Sequence, residues 1–188
     1  MLKHIEEFGK YVAIAGFRGA KVRNVEKFLM QIRNEKPSDI EVQVFDAEVV
    51  ATWQHLYFAT LNALTRFRKS SNISNNLAME IMLFASAQHQ IQKATQIVGI
   101  KADSSSIAIL ILGEKSGTAK SYLARVTKNI DAQQDDGVLE ISEKKMKAIQ
   151  KIFGISDAEL ETVTEKGNLK KALVDLVIER VALLATHG

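Results

Sequence analysis

Glu80 is the one acid in a helix-length run of apolar and small residues, "LAMEIMLFASA". A carboxyl in such surroundings has two uses. Burial could keep it protonated as a general acid, or it could pair with a nearby arginine or with orphan backbone groups. The four histidines, His4, His55, His89 and His187, are scattered, and no two have the spacing of a metal pair on a helix. His55 lies in an apolar helical stripe and reads as a structural histidine. No nucleophile elbow is present, and the chain has no cysteine, which excludes thiolate ligands, disulfides and cysteine catalysis. "GEKSGTAK" lacks P-loop order, because lysine does not directly follow its second glycine. It reads as a turn before a helix. "GFRG", Gly16 to Gly19, has the form of a loop that lets a nucleic-acid backbone approach, with Arg18, Lys21 and Arg23 beside it. In KH domains, however, that loop joins two helices, and here a strand precedes it.

Charge is unevenly placed. The net value is only +3. Between Glu7 and Glu26 there is no acid, while Lys10, Arg18, Lys21 and Arg23 occur. Between Glu48 and Glu80 there is again none, while Arg66, Arg68 and Lys69 occur. The part after Asp103 is roughly neutral. A local cationic excess suits a polyanion; it also arises as ordinary solvated surface. The absence of cysteine suits a reducing cytoplasm, and no apolar run reaches the ~20 residues that span a membrane. The first residues, "MLKHIEEFGKY", do not have the form of a secretory signal.

These residues need elements to position them. "YVAIAGF" reads as a strand and "IEVQVFD", with alternating Ile40, Val42 and Val44, as a half-buried one. "IAILILG" is a continuous apolar run that suits a central strand covered on both faces. Asn24 caps a helix carrying Val25, Phe28, Leu29 and Ile32. Asp46 is the expected cap of a strong helix with Val49, Val50, Trp53, Leu56, Tyr57, Leu61 and Leu64 on one stripe. Arg66, Arg68 and Lys69 lie at its C-terminal end, where cations complement the helix dipole. A turn-rich loop, Ser70 to Asn76, leads to a helix over Leu77 to Ala87 that is apolar nearly all round. A helix from Gln90 stops at a Gly99 cap. Tyr122, Leu123, Val126 and Ile130 mark another, and "DAQQDDG" reads as a loop. In the tail, Met146, Ile149, Ile152 and Phe153 share a face, Gly154-Ile155 repeats the glycine cap, and Ser156 with Glu159 suggests a capping box. Asn168 caps the last helix, which carries two stripes: Leu169, Leu173, Leu176, Val177 and Leu184, and beside it Val174, Ile178, Val181 and Ala185. The sum is an α+β fold, a small central sheet covered by several helices, in a single domain over residues 1–188, with no metal or cofactor constellation.

The segments "AGFRG", "VQVFDA", "HLYFATLNALTRFRKSSNIS", "MEIMLFASAQHQIQKATQIVGI" and "SSIAILILGE", in this order, resemble the kinase-binding regulatory subunits of the KEOPS complex. The resemblance covers about Tyr11 to Glu114. It implies a non-catalytic subunit of a complex that makes threonylcarbamoyladenosine in tRNA. Such a subunit binds the complex's atypical kinase/ATPase and recruits tRNA through its single-stranded 3′ CCA tail. Carried onto this chain, the tRNA-binding residues are Arg66, Arg68 and Lys69 with Asn72 and Ile73, then Glu80, and His89-Gln90 where the family often has Arg-Gln. Arg18 and Lys21 join them on charge. The second stripe of the last helix, Val174, Ile178, Val181 and Ala185, is the expected kinase face. No membrane and no small-molecule substrate is implied. The alternative is a free-standing RNA-binding or small hydrolytic domain using Glu80 and His89.

Overall fold

The computed structural model describes residues 1–165 and 167–186; His187 lies outside the described residues. The fold is α+β, with one five-stranded antiparallel sheet and eight helices among the described residues. Backbone contacts divide the chain into two compact units, Met1–Ala47 with Gly99–Val138 and Glu48–Val98 with Leu139–Gly188.

The first unit holds the sheet. β1 (Leu2–Ile5), β2 (Lys10–Arg18), β3 (Ile40–Asp46) and β4 (Ser106–Gly113) lie in the order β1-β2-β4-β3, and β5 (Gln133–Gln134) pairs with the end of β2. β4 is buried at every residue, as its unbroken apolar run requires. β3 departs from the half-buried expectation: even Gln43 is buried, so alternation of residue type here does not mark a wet face. β5 falls inside "DAQQDDG", expected to be loop; two glutamines carry no strand signal. α1 (Val25–Asn34) and α5 (Ser116–Lys128) cover one sheet face, where Val42, Val44, Ile109 and Ile111 meet Ile32, Tyr122 and Val126. Asn24 caps α1 by accepting the Lys27 N–H at 2.8 Å. The Tyr122 hydroxyl donates to the Ile32 carbonyl and ties α5 to α1. Gly99 is not a left-handed cap; it bridges to Phe45.

The second unit is helical: α2 (Trp53–Arg68), α3 (Leu77–Ser86), α4 (Ile91–Val98), α6 (Glu143–Phe153), α7 (Asp157–Val163) and α8 (Leu169–Leu184). Asp46 does not cap α2. Its carboxylate accepts the Ser104 hydroxyl at 2.7 Å, a 3-10 turn intervenes at Ala47–Val49, and α2 starts only at Trp53. Gly154 has φ 62 and closes α6, while Ser156 and Asn168 cap α7 and α8 through the N–H of Glu159 and of Lys171. Leu173, Leu176 and Val177 of α8 pack with Ile149, Phe153 and Leu160. No described helix is long and apolar enough to cross a membrane.

Candidate functional site

α2 ends in a Schellman turn. The Ser71 N–H donates to the Arg66 carbonyl at 3.0 Å and the Ser70 N–H to that of Phe67 at 3.1 Å. Ser70 takes the left-handed position, φ 52, where glycine is usual. α3 ends in the same way, with Gln88 bonded back to Leu83 and Ala87 to Phe84, and Ala87 at φ 51. Ser70 and Ala87 are the two non-glycine residues with positive φ among the described residues. Each costs about 1–2 kcal/mol of backbone strain. They stand at the two ends of one stretch: Ser70 opens the loop before α3, and Ala87 opens the turn that leads to His89 and Gln90.

Glu80 organises the loop. It is wholly buried. Helical side chains lean toward the N-terminus, so a carboxylate in the first turn of α3 reaches back over the preceding loop. Its oxygens accept the Ile73 N–H at 3.1 Å each and the Ser74 N–H at 2.7 Å. Of the two uses open to this carboxyl, the structure thus has the structural one. The amide of Asn72 donates to the Ser74 carbonyl at 3.1 Å and tightens the same turn. Asn76 then caps α3 by accepting the Met79 N–H at 2.9 Å. With its backbone held inward, the loop turns the Ile73 side chain out, 39% exposed, a large apolar group presented to water. Arg68, Lys69, His89 and Gln90 are exposed as well.

Arg66 is not part of that surface. It is buried, and its guanidinium donates to the carbonyls of Ser71 at 3.1 Å and Ala185 at 3.0 Å. It therefore serves orphan carbonyls at the ends of α2 and α8. The exposed basic pair is Arg68 and Lys69. His89 lies beyond the C-terminal end of α3: the helix rises about 9 Å from Glu80 to Ser86, and the Glu80 carboxylate leans the opposite way, toward the backbone of Ile73 and Ser74. The Glu80 carboxylate is bonded to the loop backbone and not to His89.

The family model described as "Kinase binding protein CGI-121" matches residues 20–185. The "Regulatory protein Cgi121" of Methanocaldococcus jannaschii is 32% identical over 171 residues, 91% of this chain and 95% of that protein. The chain belongs to the CGI-121 family.

In this CGI-121 chain the "GFRG" motif does not receive an outside backbone. A Cβ on Gly16 would stand 2.5 Å from Val138 and 2.7 Å from the Asp135 carbonyl, so the close approach is filled by the chain itself. The anions are internal too. The Gly16 N–H donates to Asp136 at 2.9 Å, and Arg18 donates to Asp135 at 2.7 Å. The Arg18 bond, then the Gly137 N–H, holds Asp135 below the usual carboxylate range. Lys21 pairs with Asp131 at 3.6 Å. Both cations belong to the sheet unit, whereas the loop and His89 belong to the helical one.

His55 is a structural residue in the CGI-121 chain. It is fully buried, its Nδ1 accepts the Ala51 N–H at 3.3 Å, and its Nε2 lies 2.8 Å from the Ala85 carbonyl, which makes Nε2 the protonated nitrogen. Burial lowers its pKa from 6.5 to about 4; Lys145 pushes the same way and the Ala85 bond opposes. A proton that the folded state refuses is accepted by the unfolded chain, so stability falls as pH drops from about 6.5 toward 4. At ~1.4 kcal/mol per pH unit, the loss between pH 7.5 and 5 is about 2 kcal/mol. Urea unfolding at the two pH values should show this drop, and His55→Gln should lack it. Equal slopes in the two proteins would mean that another group carries the pH dependence.

Sequence reading missed the left-handed Ser70 and Ala87, which no glycine announces. On α8 it counted Val181 in the outer stripe, but Val181 is fully buried. Val174, Ile178 and Ala185 are half-buried. With Phe58 of α2, itself 37% exposed, and Ile141, Val174 and Ile178 line a groove of about 620 Å³ edged by Lys170, Lys171 and Asp175.

Proposed function

We propose that this chain is a non-catalytic regulatory subunit of the cytoplasmic KEOPS complex, that it binds the complex's atypical kinase, and that it recruits tRNA through the single-stranded 3′ CCA end. The observation that supports the tRNA part best is the Glu80-pinned loop. It holds Ile73 outward beside Arg68 and Lys69, the pairing of an apolar contact for an unstacked base with cations for its phosphates that single-strand recognition uses. His89 and Gln90 extend the surface beyond the far end of α3. The kinase part rests on family membership and on the half-buried apolar face of α8, rimmed by charge as an interface core is.

A gel shift with tRNA carrying or lacking its CCA end tests the first part. Binding should depend on the CCA end. Arg68→Ala with Lys69→Ala should weaken it and lower the salt slope by roughly 1.4, because each single-strand phosphate that a cation neutralises contributes about 0.7. Equal affinity for trimmed tRNA, or an unchanged slope in the double variant, would overturn this reading. Co-purification with the kinase tests the second part.

A further inference from the structure

The acid-free window before Glu26 is not accounted for by the loop surface. Three of its cations are neutralised within the chain: Lys10 by Glu114 at 3.6 Å, Arg18 by Asp135, and Lys21 by Asp131. Arg23 is not. It is exposed, and among the described residues its guanidinium has no ion pair or hydrogen bond. The Lys27 ammonium, one helical turn on, has none either. Both line a groove of about 210 Å³ between the start of α1 and the end of α5. Its floor is apolar, with Val22 and Ile130 buried and Phe28 half-buried. Asn129 lines it too, as does Gln31, whose amide gives one N–H to Glu35 at 2.9 Å and keeps its oxygen and second N–H. The Tyr122 bond to the Ile32 carbonyl fixes the two helices that form the walls. Asp131, the acid of the groove, is engaged by Lys21. Glu26 lines a different groove, with Met30 and Arg33.

We propose that this groove binds one nucleotide unit, with its phosphate between Arg23 and Lys27, its base over Phe28 and the base edge toward Gln31 and Asn129. Each part of the groove has a counterpart in that ligand. A guanidinium fork and an ammonium suit phosphate oxygens. An aromatic floor suits a base face, and side-chain amides offer both donor and acceptor, as base edges demand. An inorganic anion would leave the floor and the amides unused. The unit comes either as a free mononucleotide or as part of a single RNA strand.

Amide NMR of the labelled full-length chain tests this with three probes: inorganic phosphate, AMP and a hexaribonucleotide. AMP, the hexamer or both should shift signals of Val22 to Lys27 and of Ile130 and Asp131. Arg23→Glu with Lys27→Glu should weaken that binding at least tenfold with the rest of the spectrum intact, and Phe28→Leu should weaken AMP more than phosphate. Response to AMP but not to the hexamer identifies a free nucleotide as the ligand; tighter binding of the hexamer, with a salt slope that falls by roughly 0.7 in the double variant, identifies RNA. The proposal is overturned if neither nucleotide probe shifts these signals, if phosphate alone binds as tightly as AMP, or if the charge-reversed variant binds as before. Arg68→Ala with Lys69→Ala should leave the groove response unchanged, so the groove and the CCA reading can fail separately.

Discussion

Glu80→Ala is expected to destabilise the protein by about 3 kcal/mol and to release the loop before α3. The carboxylate is buried and accepts two backbone N–H groups, from Ile73 at 3.1 Å and Ser74 at 2.7 Å. Hydrogen bonds to a charged acceptor contribute about 1.5–3 kcal/mol each, and the donors left behind lose their partners. Relief from burying the charge offsets part of that loss. Hydrogen exchange at the Ile73 and Ser74 amides should accelerate strongly while the amides of β4 change only with global stability. The effect on proposed tRNA binding separates positioning from charge. Arg68 and Lys69 remain, so the salt slope should hold while affinity for CCA-bearing tRNA falls at least tenfold. Glu80→Gln should be intermediate, since its amide retains one acceptor and turns a donor toward a donor. Undiminished protection of Ile73 and Ser74 in Glu80→Ala would show that the loop is held by something else.

The same residues show what a sequence can disclose. The role of Glu80 was readable as one of two options because an acid in an apolar helix must be paired or protonated, and the nearest donors are local. Caps at Asn24, Ser156 and Asn168 were readable for the same reason: donor and acceptor lie three residues apart. Arg66 was misread because, besides the nearby Ser71 carbonyl, its acceptors are distant. The carbonyls of Leu184 and Ala185 belong to the last helix, 118 and 119 residues away, and nothing near Arg66 separates it from Arg68. Asp46 failed as a cap through its bond to Ser104, 58 residues on. "GFRG" looked open to an anion because Asp135 and Asp136, which occupy it, lie more than a hundred residues later. Charge counted along the chain therefore overstated the free cationic surface. The sheet survived such errors because β4 has to be central: a strand apolar at every position has no side to give to water.

Ile178→Arg is expected to leave the isolated protein folded and to abolish binding to the proposed kinase partner. Periodicity alone placed Val181 beside Ile178, yet the two differ. Val181 is fully buried, so Val181→Arg should lower the melting temperature steeply, as an unpaired charge forced into a packed core does. Ile178 is half-buried on the wall of the groove it shares with Phe58 and Val174. From there an arginine can run its methylenes along the apolar wall and keep its guanidinium in water, with Asp175 three residues earlier on the helix as a partner. That escape closes when a partner covers the groove. The guanidinium is then desolvated at a cost of several kcal/mol, and since 2.7 kcal/mol is already about a hundredfold in affinity, the complex should not survive purification. Calorimetry on the isolated variants and titration against the kinase read the two effects separately. Because the loop surface is untouched, binding of CCA-bearing tRNA should be unchanged in Ile178→Arg. Full kinase affinity in that variant would move the docking face off α8, and a collapsed melting temperature would place Ile178 in the core with Val181.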